Sequence, residues 1–141
     1  MYSERSLIHI VTILECIEKI WIYSSKYKSA HEFIWADKQL PLNGVINLFI
    51  AIGEESKKIE LNLKKSVESD FNWKNVAGIR DKLAHDYRGV DEKVLWNSIK
   101  NELPKLKESL IEMIKLVNPP EELLNEILNT PYYEDIQYLK I

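Results

Sequence analysis

Ser6-Leu-Ile-His-Ile-Val-Thr-Ile-Leu-Glu-Cys-Ile-Glu-Lys-Ile-Trp-Ile-Tyr23 places apolar side chains at Leu7, Ile10, Val11, Leu14, Ile17, Ile20 and Trp21. A recurrence every three or four residues is the period of an α-helix, so this stretch reads as a first long helix with His9, Thr12, Glu15 and Lys19 turned away from the core. Working outward, Val45, Leu48, Phe49, Ile52, Ile59 and Leu63 repeat the pattern and predict a second long helix from Leu42, its polar face carrying Glu54, Glu55, Lys57 and Lys58. Between the two, Ser29 or Ser24 can cap a short helical turn through Phe33, Ile34 and Trp35, which Lys38-Gln-Leu-Pro41 interrupts.

Asn72 is a good N-cap residue and stands immediately before Trp73, where a third helix begins. Gly89 breaks that pattern, and Asp91 can cap a fourth helix through Val94, Leu95 and Ile99. Pro104 must kink or restart it before Leu106, Leu110, Met113, Ile114 and Val117, because proline lacks the N–H that a helix interior needs. Asn118-Pro-Pro120 stops the run, residues 121–129 suit a short amphipathic helix, and Tyr132, Tyr133 and Tyr138 mark a tail expected to dock. No segment alternates as a strand does. The expected class is all-α: an antiparallel bundle of four to five helices over residues 1–118, with a C-terminal helix and tail over residues 119–141 packing on the same domain.

Composition narrows the function classes. With 141 residues, 45% apolar and 29% charged, the chain suits one domain able to bury a core without staples. Cys16 is the only cysteine, which rules out an intramolecular disulfide or a cysteine-based zinc site and fits a reducing cytoplasm. No apolar run is long enough to span a membrane, and the first residues lack the build of a signal peptide. A formal charge of −3 argues against a general nucleic-acid coat, though not against a local site.

One stretch stands apart from the plain helical sequence: Arg80-Asp-Lys-Leu-Ala-His85-Asp-Tyr87. Arginine offers a fixed cationic fork for phosphate oxygens, histidine moves a proton near neutral pH, and tyrosine adds a hydroxyl open to modification. On a helix from Trp73, the residues Trp73, Val76, Ile79 and Leu83 form an apolar stripe, with Arg80 and Tyr87 within or beside it. A cation there needs a partner, which can be an acid such as Glu54 or Glu55, a neighbouring subunit or an anionic ligand. His85 falls about 140° from Arg80 on an unbroken helix, so the two share a site only if the helix unwinds near Asp86 or if two copies meet across a symmetry axis. Taken singly, each residue also has a structural reading: an Arg–Glu pair, a histidine at a helix C-terminus, an amphipathic rim tyrosine.

The run from Trp73 through Gly78, Arg80, His85, Tyr87, Gly89 and Asp91, followed by Val94-Leu-Trp96 and the leucine-rich segment after Pro104, resembles the HEPN superfamily, specifically its HepT-like branch. Its signature is an arginine, four residues, a histidine, one residue and a tyrosine. The resemblance extends to Glu15-Cys16-Ile17 and to Ile52-Gly53-Glu54, and covers roughly residues 5–117. Many members carry an arginine shortly before the Ile-Gly-Glu element, where this chain reads Ile46-Asn47-Leu48-Phe49.

The resemblance implies a metal-independent, cofactor-free endoribonuclease toxin with Arg80 and His85 catalytic and Asp81 and Glu54 in support. It also implies a partner antitoxin, a minimal nucleotidyltransferase that transfers AMP onto Tyr87. One chain supplies one motif histidine whereas the reaction wants both a base and an acid, so a homodimer with a composite site is expected, alone or in a larger hetero-oligomer. The competing expectation is a noncatalytic helical module of the same fold that binds a nucleotide or a partner protein.

Overall fold

The computed structural model describes residues 2–67, Trp73, Asp81 and residues 90–140, and every element among them is helical. The first helix, α1, spans Arg5–Ser24. A short α2, Ala30–Trp35, is capped by Ser29, whose hydroxyl accepts the Glu32 N–H at 3.1 Å, while the Ser24 hydroxyl instead donates to Ile20 O within α1. A tight turn over Ala36–Gln39 then leads into α3, Leu40–Ser56, with Pro41 in its first turn, where the missing N–H costs nothing. In that turn Asp37, Lys38 and Gln39 all take positive φ, of 45°, 54° and 69°, a left-handed path that residues other than glycine rarely follow.

The second long helix expected from Leu42 to Leu63 is two helices. After α3 ends at Ser56 the chain turns, and α4 spans Leu61–Ser66. One local and one distant polar group account for the break: the Ser56 hydroxyl donates to Gly53 O at 2.8 Å, and the Glu60 N–H is taken by the Ser6 hydroxyl of α1 at 3.0 Å. The apolar pattern survives, since Ile59 and Leu63 are both buried. Periodicity alone does not reveal such a turn when both halves feed the same core.

The third helix expected from Trp73 lies, apart from Trp73 and Asp81, outside the described residues; α5 spans Glu92–Asn97 and is capped as expected, Asp91 accepting from the N–H groups of Lys93 and Val94 at 3.0 and 3.1 Å. The Pro104 interruption takes a specific form: Ser98–Glu102 is π-helical, and α6 restarts over Leu103–Val117. Helix α6 ends at Asn118, left-handed with φ 50°; α7 spans Glu121–Leu128, and a 3-10 segment over Pro131–Leu139 carries the chain back onto α1.

Two pairs fix the direction of α3 against α1. His9 near the start of α1 meets Glu55 near the end of α3, and Tyr23 near the end of α1 lies 3.5 Å from where a side chain at Gly44 would begin. The helices are therefore antiparallel. Lys107 of α6 reaches Glu18 of α1, and the Trp21 indole reaches Ile99, so α1 and the π-to-α6 run are antiparallel as well. Residues 13–17 of α1 are buried without a gap, and at about 100° per residue five consecutive positions sweep the whole circumference. Helix α1 is thus the axis of the fold, enclosed by α3, α6 and the C-terminal segment.

The Trp21–Ile99 bond explains how the fold tolerates Pro104. In the π register the Leu103 N–H reaches Ser98 O, so the next acceptor, Ile99 O, would need the N–H of residue 104, which proline lacks. The Trp21 indole N–H fills that position at 3.1 Å. Replacing Trp21 by Phe leaves the Ile99 carbonyl without a donor and should lower the unfolding free energy by about 1–3 kcal/mol in urea titrations. Introducing Pro104→Ala, which restores an N–H in the chain, should shrink that loss; an undiminished loss in the double variant would refute the coupling.

Candidate functional site

Three of the residues singled out in the sequence, Arg80, His85 and Tyr87, lie outside the described residues. The two expected to support them are described. Asp81 is exposed and in helical conformation. Glu54 sits in the last turns of α3, its side chain 46% exposed and 3.9 Å from Lys57. Glu55 turns the other way: its carboxylate meets the His9 ring Nδ1 at 2.5 Å and Lys58 at 3.8 Å, with its side chain 23% exposed. Of the two acids weighed as partners for Arg80, Glu55 is engaged by α1 and Lys58. In the stretch before Ile52-Gly53-Glu54, Asn47 is exposed, and it lines a shallow groove on α3 with Asn43, Ile46 and Ile50.

Glu15, expected on the solvent face of α1, is fully buried. The cause is the tail. The Pro131–Leu139 segment crosses α1 at this point, and Glu15 Oε1 accepts the Asp135 backbone N–H at 3.0 Å. Lys19, one turn on, stands 3.8 Å from Oε2, which has no hydrogen-bond partner. Burial pushes the Glu15 carboxyl up to about 7, and the neighbouring Asp135 side chain acts in the same direction against the opposing pull of the Asp135 backbone N–H and Lys19. A sequence signal for this burial exists: Glu15 is flanked on both sides by apolar residues, Ile13, Leu14, Cys16 and Ile17.

The same docking defines the neighbouring reactive groups. Cys16 is buried, and desolvation pushes its thiol up to about 11, so it stays protonated and unreactive at neutral pH. The tail tyrosines hold the segment down. The Tyr133 and Thr12 hydroxyls bond at 3.0 Å, the Tyr138 hydroxyl donates to Glu18 at 3.1 Å, and the Tyr132 ring lies under the Lys19 ammonium at 4.1 Å. Burial raises the Tyr132 and Tyr138 hydroxyls above the usual phenol range. Among the described residues no three His, Cys, Asp or Glu side chains converge as a metal's ligands, and no helix is long and apolar enough to cross a membrane.

Comparison with known proteins places this framework. Residues 13–113 match the family model described as Ribonuclease HepT-like. The chain is 35% identical over 99 residues to "Probable ribonuclease HepT" of Thermococcus cleftensis, an alignment covering 70% of this chain and 86% of the relative. It is 33% identical over 110 residues to "Putative RNase MJ1216" of Methanocaldococcus jannaschii, covering 78% and 88% respectively. No solved structure matches the chain. The matched region includes the Arg80–His85–Tyr87 run and ends before the tail that buries Glu15.

The buried carboxyl has a direct consequence for stability. Its folded-state value near 7 lies above its ordinary 4.5, so the native protein holds a proton that the unfolded chain releases between those pH values. Its contribution is complete below about 4.5 and is lost as pH rises through about 7. Glu15→Gln retains an acceptor for Asp135 without the ionisation. It should therefore be more stable than the parent at pH 8, by at most about 3 kcal/mol, with the difference narrowing toward pH 4.5. Equal pH dependence of the two unfolding free energies would contradict this placement.

Proposed function

This chain belongs to the HepT-like ribonuclease family, and from that premise we propose that it is a metal-independent endoribonuclease toxin working as a homodimer. The observation that carries the reading is the Arg80-x4-His85-x-Tyr87 spacing inside the matched region. Cleaving an RNA strand without a metal needs three things: a base to take the 2′-hydroxyl proton, a cation for the charge that gathers on the pentacoordinate phosphorus, and an acid to protonate the departing 5′-oxygen. Arg80 serves the second. His85 of one protomer takes the 2′ proton while His85 of its partner gives a proton to the 5′-oxygen. The products are a 2′,3′-cyclic phosphate and a free 5′-hydroxyl, and the two imidazoles end with their protons exchanged.

Regulation follows from the third residue. Transfer of AMP from ATP to the Tyr87 hydroxyl, with release of pyrophosphate, adds bulk and negative charge seven residues from Arg80 and competes with the substrate phosphate for that cation. The enzyme for that transfer is a separate minimal nucleotidyltransferase acting as antitoxin.

Expressed alone, the parent should arrest growth and degrade RNA to ends bearing cyclic phosphate. Arg80→Ala and His85→Ala should lose that activity, the histidine variant by ~10²- to 10⁴-fold in rate. Equal RNA cleavage by all three proteins would overturn the assignment in favour of a noncatalytic binding module.

A further inference from the structure

Helices α2 and α5 share a surface that the reaction above does not use. Between them lies a groove of about 350 Å³ whose lining includes Trp96, Asn97, Lys93, Lys100, Asn101 and Glu92. Lys100 holds its ammonium 4.7 Å from the centre of the Trp96 ring, and Phe33 backs the same indole at 6.0 Å. On the α2 shoulder, Trp35 is 56% exposed, an unusual position for so large an apolar ring, and His31 lies beside it at 6.4 Å. The carboxylate that lines the groove, Glu92, is engaged by the His31 ring at 3.0 Å, leaving Lys93 and Lys100 as the cations of the lining. Asn101 donates to the Asn97 side-chain carbonyl at 2.7 Å, so the Asn97 amide N–H₂ and the Asn101 carbonyl remain open at the surface.

Flat aromatic faces, free amides and flanking lysines together are the chemistry that holds unpaired nucleotides: bases stack on the rings, amides bond to base edges and ammonium groups meet phosphates. An approaching base on the outer face of Trp96 would displace the Lys100 ammonium toward that base's own phosphate, exchanging one favourable contact for two. The floor of the groove is also irregular in a way that favours a ligand. It runs onto the π-helical turn at Ser98–Glu102, a widening found frequently at functional sites. In sequence the groove opens five residues after Tyr87, and five residues of chain reach ~18 Å at most.

We propose that the groove between α2 and α5 is an accessory site for single-stranded RNA, holding the strand beyond the bond being cut and selecting unpaired over duplex substrate. The proposal rests on the ribonuclease reading for its occupant. A paired base has no free face, so the groove sets the substrate class as single-stranded.

The test uses full-length protein and a labelled single-stranded 12-nucleotide RNA carrying 2′-O-methyl groups throughout, which cannot be cleaved by attack of a 2′-hydroxyl, together with its blunt duplex. Trp35→Ala combined with Lys100→Glu alters two exposed side chains, and circular dichroism checks that the fold is kept. Fluorescence anisotropy should show the single strand binding the parent more tightly than the duplex does, and the double variant should lose about 10-fold or more of that affinity, the loss of one base stack and one phosphate contact. On cleavable substrates the double variant should raise KM for a 12-mer while leaving cleavage of a dinucleotide, too short to reach the groove, unchanged. Equal affinity of parent and double variant for the single strand, or parental binding of duplex as tight as of single strand, overturns the proposal. Groove-dependent binding by a parent that cuts neither substrate would uphold the site while refuting the nuclease.

Discussion

The structure depends on one helix being enclosed on every side. Helix α1 has no solvent stripe along its middle: Ile13, Leu14, Glu15, Cys16 and Ile17 are all fully buried. Three surroundings are needed to achieve this, and α3, α6 and the C-terminal segment supply them. At ~1.5–3 kcal/mol for each large apolar side chain removed from water, the burial of α1 contributes strongly to the cohesion of the fold. Helices α3 and α6 and the C-terminal segment pack directly on that axis, and the shorter helices pack on them in turn. The Ile52-Gly53-Glu54 turn is held where it is because α3 runs antiparallel to α1, and the π-helical turn before α6 is completed by the Trp21 indole of α1.

The tail lies outside the part of the chain that the family model matches. Residues beyond 113 lie outside the family match, yet they cover the side of α1 that carries Glu15, and this makes a potentially charged side chain part of the core. The arrangement has a cost. A carboxyl with one unpartnered oxygen in a dry environment holds its proton to near neutrality, and Lys19 offsets the penalty only from 3.8 Å. The docking therefore relies on the surrounding contacts, among them Ile136 and Tyr133 in the core and the hydroxyl bonds to Thr12 and Glu18.

Most of the fold was legible in the sequence because its signals are local. The α1 periodicity, the Ser29 and Asp91 caps, the Pro104 interruption and the Asn118 stop each act within a turn or two of chain, and each appears where the residues place it. What escaped depends on groups distant in sequence. The turn between α3 and α4 is stabilised by Ser6 some fifty residues earlier, and Glu15 is buried by a segment 120 residues away. The candidate site divides along the same line. Arg80, His85 and Tyr87 are readable as a motif because they fall within eight residues of chain, whereas the pairing of Glu55 with His9 joins two helices and carries no spacing of its own. The α2–α5 groove is likewise an assembly of scattered residues, visible only once the two helices stand side by side.

If two protomers pool their guanidinium and imidazole groups at one phosphodiester, catalysis is a property of the pair and not of the chain. The most direct measurement is the rate of RNA cleavage per chain across a dilution series, with the mass of the species determined by light scattering at the same concentrations. The account predicts that activity per chain falls in step with the dimer fraction and that each cut leaves a 2′,3′-cyclic phosphate. Constant activity per chain down to concentrations at which only single chains remain would contradict it.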